Sequence, residues 1–230
     1  MFRSISQYLG TFTLFISTFS LLNILFSYYF NFLPNLKSYL VCFLISLSLG
    51  LLCIFLQNKD IEKINFFEKL FLVISGFFYF PLLIAIPYYL SIYDINFINS
   101  YFESISGFSS TGFTILNNIK ELDEPLLIWR STSQWLGGLY FLFSLFLLSS
   151  SSKTKPKKDI LSYESTNLIE IKKQYTKVII IYSLLTIFIF LILNFSGIRL
   201  FESFNLSMIL RIAIVKETGR PITLLLDFAC

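Results

Sequence analysis

Five long apolar runs divide the sequence, and charged or turn-forming residues separate them. The runs cover roughly residues 9–33, 36–56, 66–90, 125–149 and 178–196. Each has the ~20 residues needed to cross a ~30 Å hydrocarbon layer. Because lipid offers the backbone no hydrogen-bond partners, such spans are helices. The pattern therefore predicts an all-α integral membrane protein with about five transmembrane helices.

Composition agrees with a chain surrounded by a lipid bilayer. The 230 residues are 55% hydrophobic and 14% charged, whereas soluble domains carry roughly a quarter charged residues. The chain has no histidine, and its cysteines Cys42, Cys53 and Cys230 follow no paired pattern. It also has no carboxylate cluster and no phosphate-binding glycine loop. We therefore expect no enzyme activity, no zinc site and no disulfide framework.

Basic residues predict the orientation of the spans. Arg3, the connection after the second span and the connection after the fourth span carry most of the positive charge, and five spans place these alternate connections on the same side of the membrane. The later connection holds seven lysines, namely Lys153, Lys155, Lys157, Lys158, Lys172, Lys173 and Lys177. Cytoplasmic loops are enriched in Lys and Arg, so the N-terminus is predicted to be cytoplasmic. A nucleic-acid site is not expected, because a basic loop between apolar spans reports topology.

A shorter helix is predicted between the third and fourth spans, over residues 95–108 with Asp94 as its cap. Its apolar residues recur at helical spacing on one face, at Ile98, Tyr101, Phe102 and Ile105. At ~20 Å it is too short to span the bilayer. A stretch rich in glycine and hydroxyl side chains follows over residues 107–114, and Asp123 then precedes the next helix. This order is either a re-entrant pore loop or an external Ser/Gly loop after a surface helix.

Two motifs favour the pore loop. Residues 102–114, Phe-Glu-Ser-Ile-Ser-Gly-Phe-Ser-Ser-Thr-Gly-Phe-Thr, resemble the first pore loop of the Trk/Ktr/HKT superfamily of potassium transporters. Residues 129–138, Trp-Arg-Ser-Thr-Ser-Gln-Trp-Leu-Gly-Gly, are similar to the helix that follows the first filter in that superfamily. The resemblance covers most of residues 1–207 and is weaker in the first two spans.

The resemblance implies a potassium path built from four helix–pore loop–helix repeats. Ser110 and Thr111 would bind K⁺ through their backbone carbonyls, with Gly112 at the filter position that favours potassium over sodium. Ser109 and Phe113 would flank them. The resemblance also implies the cytoplasmic (inner) membrane as location, a homodimer, and a cytoplasmic nucleotide-binding regulatory subunit. K⁺ is then the transported ion, and no other cofactor is expected.

The chain divides into five parts on this basis. Residues 1–65 hold two N-terminal transmembrane helices, 66–150 the first repeat, 151–177 a basic cytoplasmic loop, 178–207 the start of a second repeat, and 208–230 an atypical tail. No second hydroxyl–glycine filter follows Ser207. The last 23 residues contain a single aromatic residue, against 19% overall. We expect a truncated gene product or a disrupted reading frame, and a genuine divergent tail is the alternative.

Other residues carry secondary expectations. Glu103 is predicted to attract cations from outside, to be solvated or to serve as a cap. Arg130 is expected to extend to the membrane interface, with pairing to Glu103 as the alternative. Trp129 and Trp135 are predicted to lie in an interfacial belt. Gly137 either permits close helix packing or is incidental. Pro81 and Pro87 are expected to kink the third span.

Three functions remain open from the sequence. The first is K⁺ uptake through a backbone-carbonyl filter in a Trk/Ktr-type transporter. The second is an incomplete, non-conducting portion of such a transporter, because one filter segment does not close a ring. The third is a membrane scaffold or accessory protein without transport.

Overall fold

Seven helices make up nearly all of the structure, a computed structural model that describes residues 2–56, 63–64, 66–116, 122–149 and 166–216. The helices are α1 (Phe2–Tyr29), α2 (Leu36–Phe55), α3 (Phe66–Tyr89), α4 (Phe97–Phe108), α5 (Glu124–Ser149), α6 (Leu168–Phe195) and α7 (Leu200–Lys216). Two short strands, β1 (Lys63–Ile64) and β2 (Thr166–Asn167), form an antiparallel pair.

Five of these helices are long and apolar enough to cross a bilayer. Their spans are Tyr8–Tyr29, Leu36–Phe55, Phe66–Tyr89, Glu124–Leu148 and Thr176–Phe195. Helix α4 has 12 residues, so it is about 18 Å long and does not reach across a ~30 Å hydrocarbon layer. The predicted all-α membrane fold with five spans is confirmed.

Two sets of contacts place the connections of the spans on opposite faces. On one face, the Asn35 side chain before α2 donates to Asp123 Oδ1 (3.0 Å), and its Oδ1 accepts from the Ile92 amide (2.9 Å). The Tyr93 hydroxyl also donates to Asp123 Oδ1 (3.2 Å), and burial raises the pKa of this phenol. On the other face, β1 pairs with β2. The two lysine-bearing connections therefore share a face, as the alternation of basic residues predicts.

Aromatic side chains from α1, α3, α4 and α5 form the centre of the core. Phe12, Phe80, Phe108 and Tyr140 are buried, and the Tyr140 ring packs against the other three with centroids 5.0 to 5.7 Å apart. The Tyr140 hydroxyl donates to the carbonyl of Leu72 on α3 (2.8 Å). A buried phenol without a partner would be costly in such a core, so this hydrogen bond fixes α5 against α3.

Both prolines of α3 lie inside one continuous helix. Pro87 has no amide hydrogen to donate to the carbonyl of Leu83, four residues earlier. The Cys42 thiol on α2 donates to that carbonyl instead, with an S–O distance of 3.5 Å. A neighbouring helix thus supplies the donor that the proline removes, which is how helices in lipid tolerate proline.

Two predicted boundaries differ from the structure. Helix α4 is capped by Asn96, whose Oδ1 accepts from the Asn99 amide (2.8 Å), rather than by Asp94. Helix α6 begins at Leu168, inside the predicted basic loop 151–177, although its membrane-spanning part begins only at Thr176. Lys, Glu and Gln are good helix formers. The helix therefore extends through the charged residues that precede the membrane span. Of the seven lysines, Lys172, Lys173 and Lys177 lie on α6, and the other four lie outside the described residues.

Helix α7 runs to Lys216 and crosses the boundary that was predicted after Ser207. Met208 is buried, with 6% exposure, and joins the main core cluster. Residues 217–230 of the predicted atypical tail lie outside the described residues.

The predicted interfacial tryptophans lie inside the bundle, so that interpretation is wrong. Trp129 is 1% exposed and Trp135 is 7% exposed. The Trp129 indole donates to the carbonyl of Ile84 (3.0 Å), and the Trp135 indole donates to Thr186 Oγ1 (3.0 Å). Because both indole N–H groups find partners on neighbouring helices, the rings are held within the protein rather than at the lipid headgroups.

Candidate functional site

Helix α4 places its polar residues inward and its large apolar residues outward. Its buried residues are Ser100, Glu103, Ser104, Ser106, Gly107 and Phe108. Ile98 is 77% exposed and Phe102 is 44% exposed, and these belong to the apolar face predicted from the sequence. Tyr101 and Ile105, also of that face, are partly buried. An outward apolar face suits lipid or further protein, whereas the inward polar face makes specific contacts with α3, α5 and the segment that follows α4.

Hydrogen bonds fix the inner face of α4 to α3. The Ser104 hydroxyl donates to the carbonyl of Pro81 (2.8 Å), and the Tyr101 hydroxyl donates to that of Phe78 (3.2 Å). Both acceptors lie around the proline in the middle of α3. The short helix is therefore held at the depth of the middle of a transmembrane span.

Glycines let α5 approach the end of α4 very closely. A Cβ added at Gly137 would lie 1.7 Å from the carbonyl oxygen of Phe108, and one added at Gly107 would lie 2.4 Å from Ser133 Oγ. No side chain fits in such spaces. The prediction that Gly137 permits close helix packing is confirmed, and the packing partner is the last residue of the short helix.

The chain turns sharply after α4, and its amides bond back to the helix. The Ser109 amide donates to Ile105 O (2.8 Å), the Ser110 amide to Gly107 O (2.9 Å), and the Thr111 amide to Ser106 O (3.1 Å). Ser110 has φ +56°, a left-handed conformation that is uncommon for a residue with a Cβ. Such outliers concentrate at functional sites.

Gly112 has φ +76°, and a Cβ added there would meet nothing within 4 Å. Glycine is therefore required at this position by the backbone conformation and not by space. Two left-handed residues, Ser110 and Gly112, flank Thr111 within the turn. This is a conformation that a regular helix or strand does not provide.

The carbonyl groups of the turn differ from the amides of Ser109, Ser110 and Thr111, which all donate to α4. Among the described residues, none donates a hydrogen bond to the carbonyl oxygens of Ser109–Gly112. The next carbonyl, that of Phe113, accepts from the Ser106 hydroxyl (2.5 Å). Ser109, Thr111, Gly112 and Phe113 are exposed. The structure thus brings the five predicted filter residues together as one exposed turn with a row of unpaired oxygens.

Glu103 and Arg130 form an ion pair beside this turn, with Oε1 and Nη1 2.9 Å apart. The Glu103 side chain is 2% exposed and that of Arg130 is 13% exposed. The expectations of a solvated Glu103 and an interface-seeking Arg130 are therefore both wrong. The physical reason is that a charge within an apolar bundle is stable only when it is paired and hydrogen-bonded.

Sequence reasoning missed two residues of the site. Ser106 bonds to both Thr111 and Phe113, and Thr114 donates to the Glu103 carboxylate (3.1 Å). Their hydroxyl side chains next to the predicted filter were the only available signal. For the pair, a better signal existed: Glu103 is the sole carboxylate of α4, and Arg130 is the sole arginine between Arg3 and Arg199.

Oxygen atoms of the backbone are the available cation ligands at this site. Among the described residues, no group of three or more His, Cys, Asp or Glu side chains could hold a metal ion. The row of carbonyls over Ser109–Gly112 is chemically suited to a dehydrated monovalent cation, which carbonyl oxygens bind in place of its hydration shell.

Comparison with known proteins supports a Trk-type relationship in sequence and in fold. No family model matches the chain. An uncharacterized cation transporter of Methanocaldococcus jannaschii is 31% identical over 132 residues, which are 54% of this chain and 27% of that protein. The Trk system potassium uptake protein TrkI of Halomonas elongata is 39% identical over 66 residues, 29% of this chain and 12% of that protein.

The fold is similar to that of the potassium transporter TrkH from Vibrio parahaemolyticus. The TM-score is 0.69 at 21% sequence identity, over 90% of this chain and 42% of that one. The resemblance inferred from the two motifs is therefore confirmed. All three relatives are named as transporters, in agreement with the prediction of a non-enzyme. The chain spans less than half the length of each of them.

Proposed function

We propose that this chain supplies the first filter segment of a potassium uptake path, with Ser109–Phe113 as the ion-binding turn. The observation that carries the proposal is the row of carbonyl oxygens at Ser109–Gly112, which accept no hydrogen bond from the described residues and lie at the end of a short helix that does not cross the membrane. The names of the relatives, a cation transporter and two Trk-type potassium transporters, support K⁺ as the ion.

The geometry suits the binding of a dehydrated K⁺. The amides of Ser109, Ser110 and Thr111 are held by the carbonyls at the end of α4, so the turn does not rotate to offer its N–H groups. The carbonyl oxygens of the turn are therefore the backbone groups left to bind a cation. The C-terminal end of α4 carries the partial negative charge of the helix dipole and points toward the same turn. Both features favour a cation where water is lost.

The remaining parts of the assembly are also proposals. We place the protein in the cytoplasmic membrane with its N-terminus inside, on the basis of its basic connections. A homodimer and a cytoplasmic nucleotide-binding regulatory subunit rest on the family resemblance. A reporter fused near Lys157 would be active on the cytoplasmic side, and an external signal there would reverse the orientation.

By itself, the 230-residue chain is expected not to transport K⁺. The described residues contain one turn of this kind, and it is exposed. A ring of four segments, as the resemblance implies, needs three more. Reconstituted liposomes should therefore take up no K⁺, and a measurable K⁺ flux would mean that copies of the chain close the ring. A scaffold without transport would give the same blank result, so a second experiment is needed.

The second experiment joins residues 1–207 to the later repeats of the Vibrio parahaemolyticus potassium transporter, in cells without their own K⁺ uptake. We expect uptake to be restored, and Gly112→Ser to lower the preference for K⁺ over Na⁺, because an added Cβ strains the left-handed backbone and shifts the carbonyls. Gly197→Ser is the matched control, because Gly197 has φ +85° and equally open surroundings outside the filter. Equal selectivity in the parent and both variants would contradict the proposal.

A further inference from the structure

We infer that Glu103 and Arg130 are positioning residues of the filter, which clamp the segment that leaves the ion-binding turn. This inference rests on the proposed function of Ser109–Phe113. The pair joins α4, the segment Thr114–Leu116 and α5, and these are the three pieces of chain that surround the turn. We call the Glu103–Arg130 pair, together with its bonds to Thr114 and Ile115, the exit clamp.

Each polar group of the exit clamp has a specific partner. The Glu103 carboxylate accepts from Arg130 Nη1 (2.9 Å), from the Thr114 hydroxyl (3.1 Å) and from the Ile115 amide (3.1 Å). The Thr114 oxygen also accepts from Arg130 Nη1 (3.1 Å) and from the Leu116 amide (3.1 Å). A hydroxyl offers one donor and two acceptor sites, so that of Thr114 is saturated.

Ser106 secures both sides of the turn, and Glu103 of the clamp secures the segment that leaves it, from the same helix. Ser106, one turn after Glu103 on α4, accepts from the Thr111 amide through its carbonyl and donates to the Phe113 carbonyl through its hydroxyl. Glu103 then accepts from the next two residues. Ser106 thus holds the chain on both sides of the carbonyls of Thr111 and Gly112, and the clamp holds the segment immediately beyond. Loosening the clamp leaves the hydrogen bond from Ser106 to Phe113 to hold the outgoing side of the turn without that support, so the carbonyl positions are less well fixed.

A role for Glu103 as a cation attractor does not fit its surroundings. An attractor needs a carboxylate that faces the entering ion, but the Glu103 side chain is 2% exposed and its oxygens are occupied by three donors. The positive charge of Arg130 lies at 2.9 Å and cancels most of its field. The carboxylate acts through hydrogen bonds to the backbone and not through its net charge.

Charge-matched variants separate the two roles. Glu103→Gln leaves the positive charge of Arg130 beside the filter, whereas Arg130→Gln leaves the negative charge of Glu103. If the pair acts electrostatically, the two variants change cation uptake in opposite directions. If it acts as a clamp, both lower the K⁺/Na⁺ ratio. The double variant Glu103→Gln/Arg130→Gln buries no unpaired charge and should lower the ratio too.

Amide hydrogen exchange on the 230-residue chain tests the clamp without any need for transport. In both single variants and in the double variant, a peptide covering residues 109–116 should exchange roughly tenfold faster, the factor expected when a charge-assisted hydrogen bond to an amide is weakened or lost. A peptide from residues 136–148 of α5 should stay protected, which reports folding. The control is Arg199→Gln, because Arg199 pairs with Glu202 on the surface of α7.

Each outcome has a definite meaning. Faster exchange at residues 109–116 with a lowered K⁺/Na⁺ ratio in the chimera supports the exit clamp. Unchanged exchange in a folded double variant overturns it, as does an unchanged K⁺/Na⁺ ratio in a chimera that Gly112→Ser does affect. If Gly112→Ser also leaves the ratio unchanged, the proposed filter itself is wrong, so the two failures are distinguishable.

Discussion

The tripeptide Phe-Glu-Ser occurs on both short helices of the protein, with opposite consequences. On α4 it is Phe102-Glu103-Ser104, and on α7 it is Phe201-Glu202-Ser203. Glu103 is 2% exposed and pairs with an arginine of another helix. The Glu202 side chain is 38% exposed and pairs with Arg199, three residues earlier on the same surface. Ser104 and Ser203 are fully buried in both places.

The difference comes from the partners that the surrounding chain brings to each glutamate. In α5, 72% of the spanning residues are buried, and this helix brings Arg130 and Gly137 against α4. In α6 only 17% are buried. After α4, moreover, the chain folds back so that Thr114 reaches Glu103. An identical motif therefore becomes a structural clamp only where a neighbouring helix and a returning segment supply its partners.

Removing one charge of the Glu103–Arg130 pair should lower the free energy of unfolding most, whereas removing one charge of the Arg199–Glu202 pair should change it little. Glu103→Gln or Arg130→Gln leaves an uncompensated charge within the bundle, which costs about 3–5 kcal/mol. Arg199→Gln removes an exposed pair worth about 0–1 kcal/mol. The measurement is the free energy of unfolding in detergent micelles. Equal losses of unfolding free energy for the two ion pairs would mean that the burial of Glu103 and Arg130 does not strengthen their pair.

Gly137→Ala should cause the second-largest loss of unfolding free energy, because its Cβ would meet the carbonyl oxygen of Phe108 at 1.7 Å. Overpacking of this kind costs about 1–3 kcal/mol or more, since α5 must move away from α4. Gly197→Ala, in the turn between α6 and α7, meets no atom within 4 Å and bears only the ~1–2 kcal/mol of a left-handed residue.

Exchange measurements separate these two glycine effects. Gly137→Ala should speed amide exchange at residues 109–116, because the α4–α5 contact supports the turn. Gly197→Ala should leave that peptide unchanged. A change of equal size in both variants would show that the close approach of α5 has no special part in holding the turn.

Ser131→Ala should have the smallest effect of the three. The Ser131 hydroxyl on α5 donates to Asn205 Oδ1 on α7 (2.9 Å) and so joins the two regions. Its loss should lower the unfolding free energy by about 1 kcal/mol. Ser196→Ala is the control, because that hydroxyl is exposed and, among the described residues, bonds only to Ile192 O of the adjoining α6. A change with Ser196→Ala as large as that with Ser131→Ala would contradict the proposed link.

The spans and the turn were predictable from sequence because each depends on local pattern. Apolar runs of about 20 residues identify membrane helices, and a glycine after hydroxyl residues identifies the turn at Gly112. Partners on other helices were not predictable. Arg130 was expected at the interface because a lone arginine on a span commonly extends there, and Trp129 because tryptophan favours that depth. Tertiary packing of α5 against α3 and α4 overrides both tendencies.

The direction of the apolar face of α4 was also beyond the sequence. Helical spacing groups Ile98 and Phe102 on one face, and in a soluble protein such a face is buried. In this bundle it is exposed, because lipid or further protein accepts apolar residues whereas Glu103 and Ser104 need specific partners inside. Helical spacing thus predicts which residues of α4 share a face, but whether that face points outward depends on the medium around the bundle.

The most direct test of the filter is to locate the ion. The chimera described above is crystallised in RbCl, and the anomalous scattering of Rb⁺, which replaces K⁺ in carbonyl sites, is mapped. We expect a peak within coordination distance of the carbonyl oxygens of Ser110 and Thr111, and a weaker one in Gly112→Ser. Rb⁺ peaks elsewhere on the path with none beside Ser109–Phe113 would contradict the assignment of this turn as the ion-binding site.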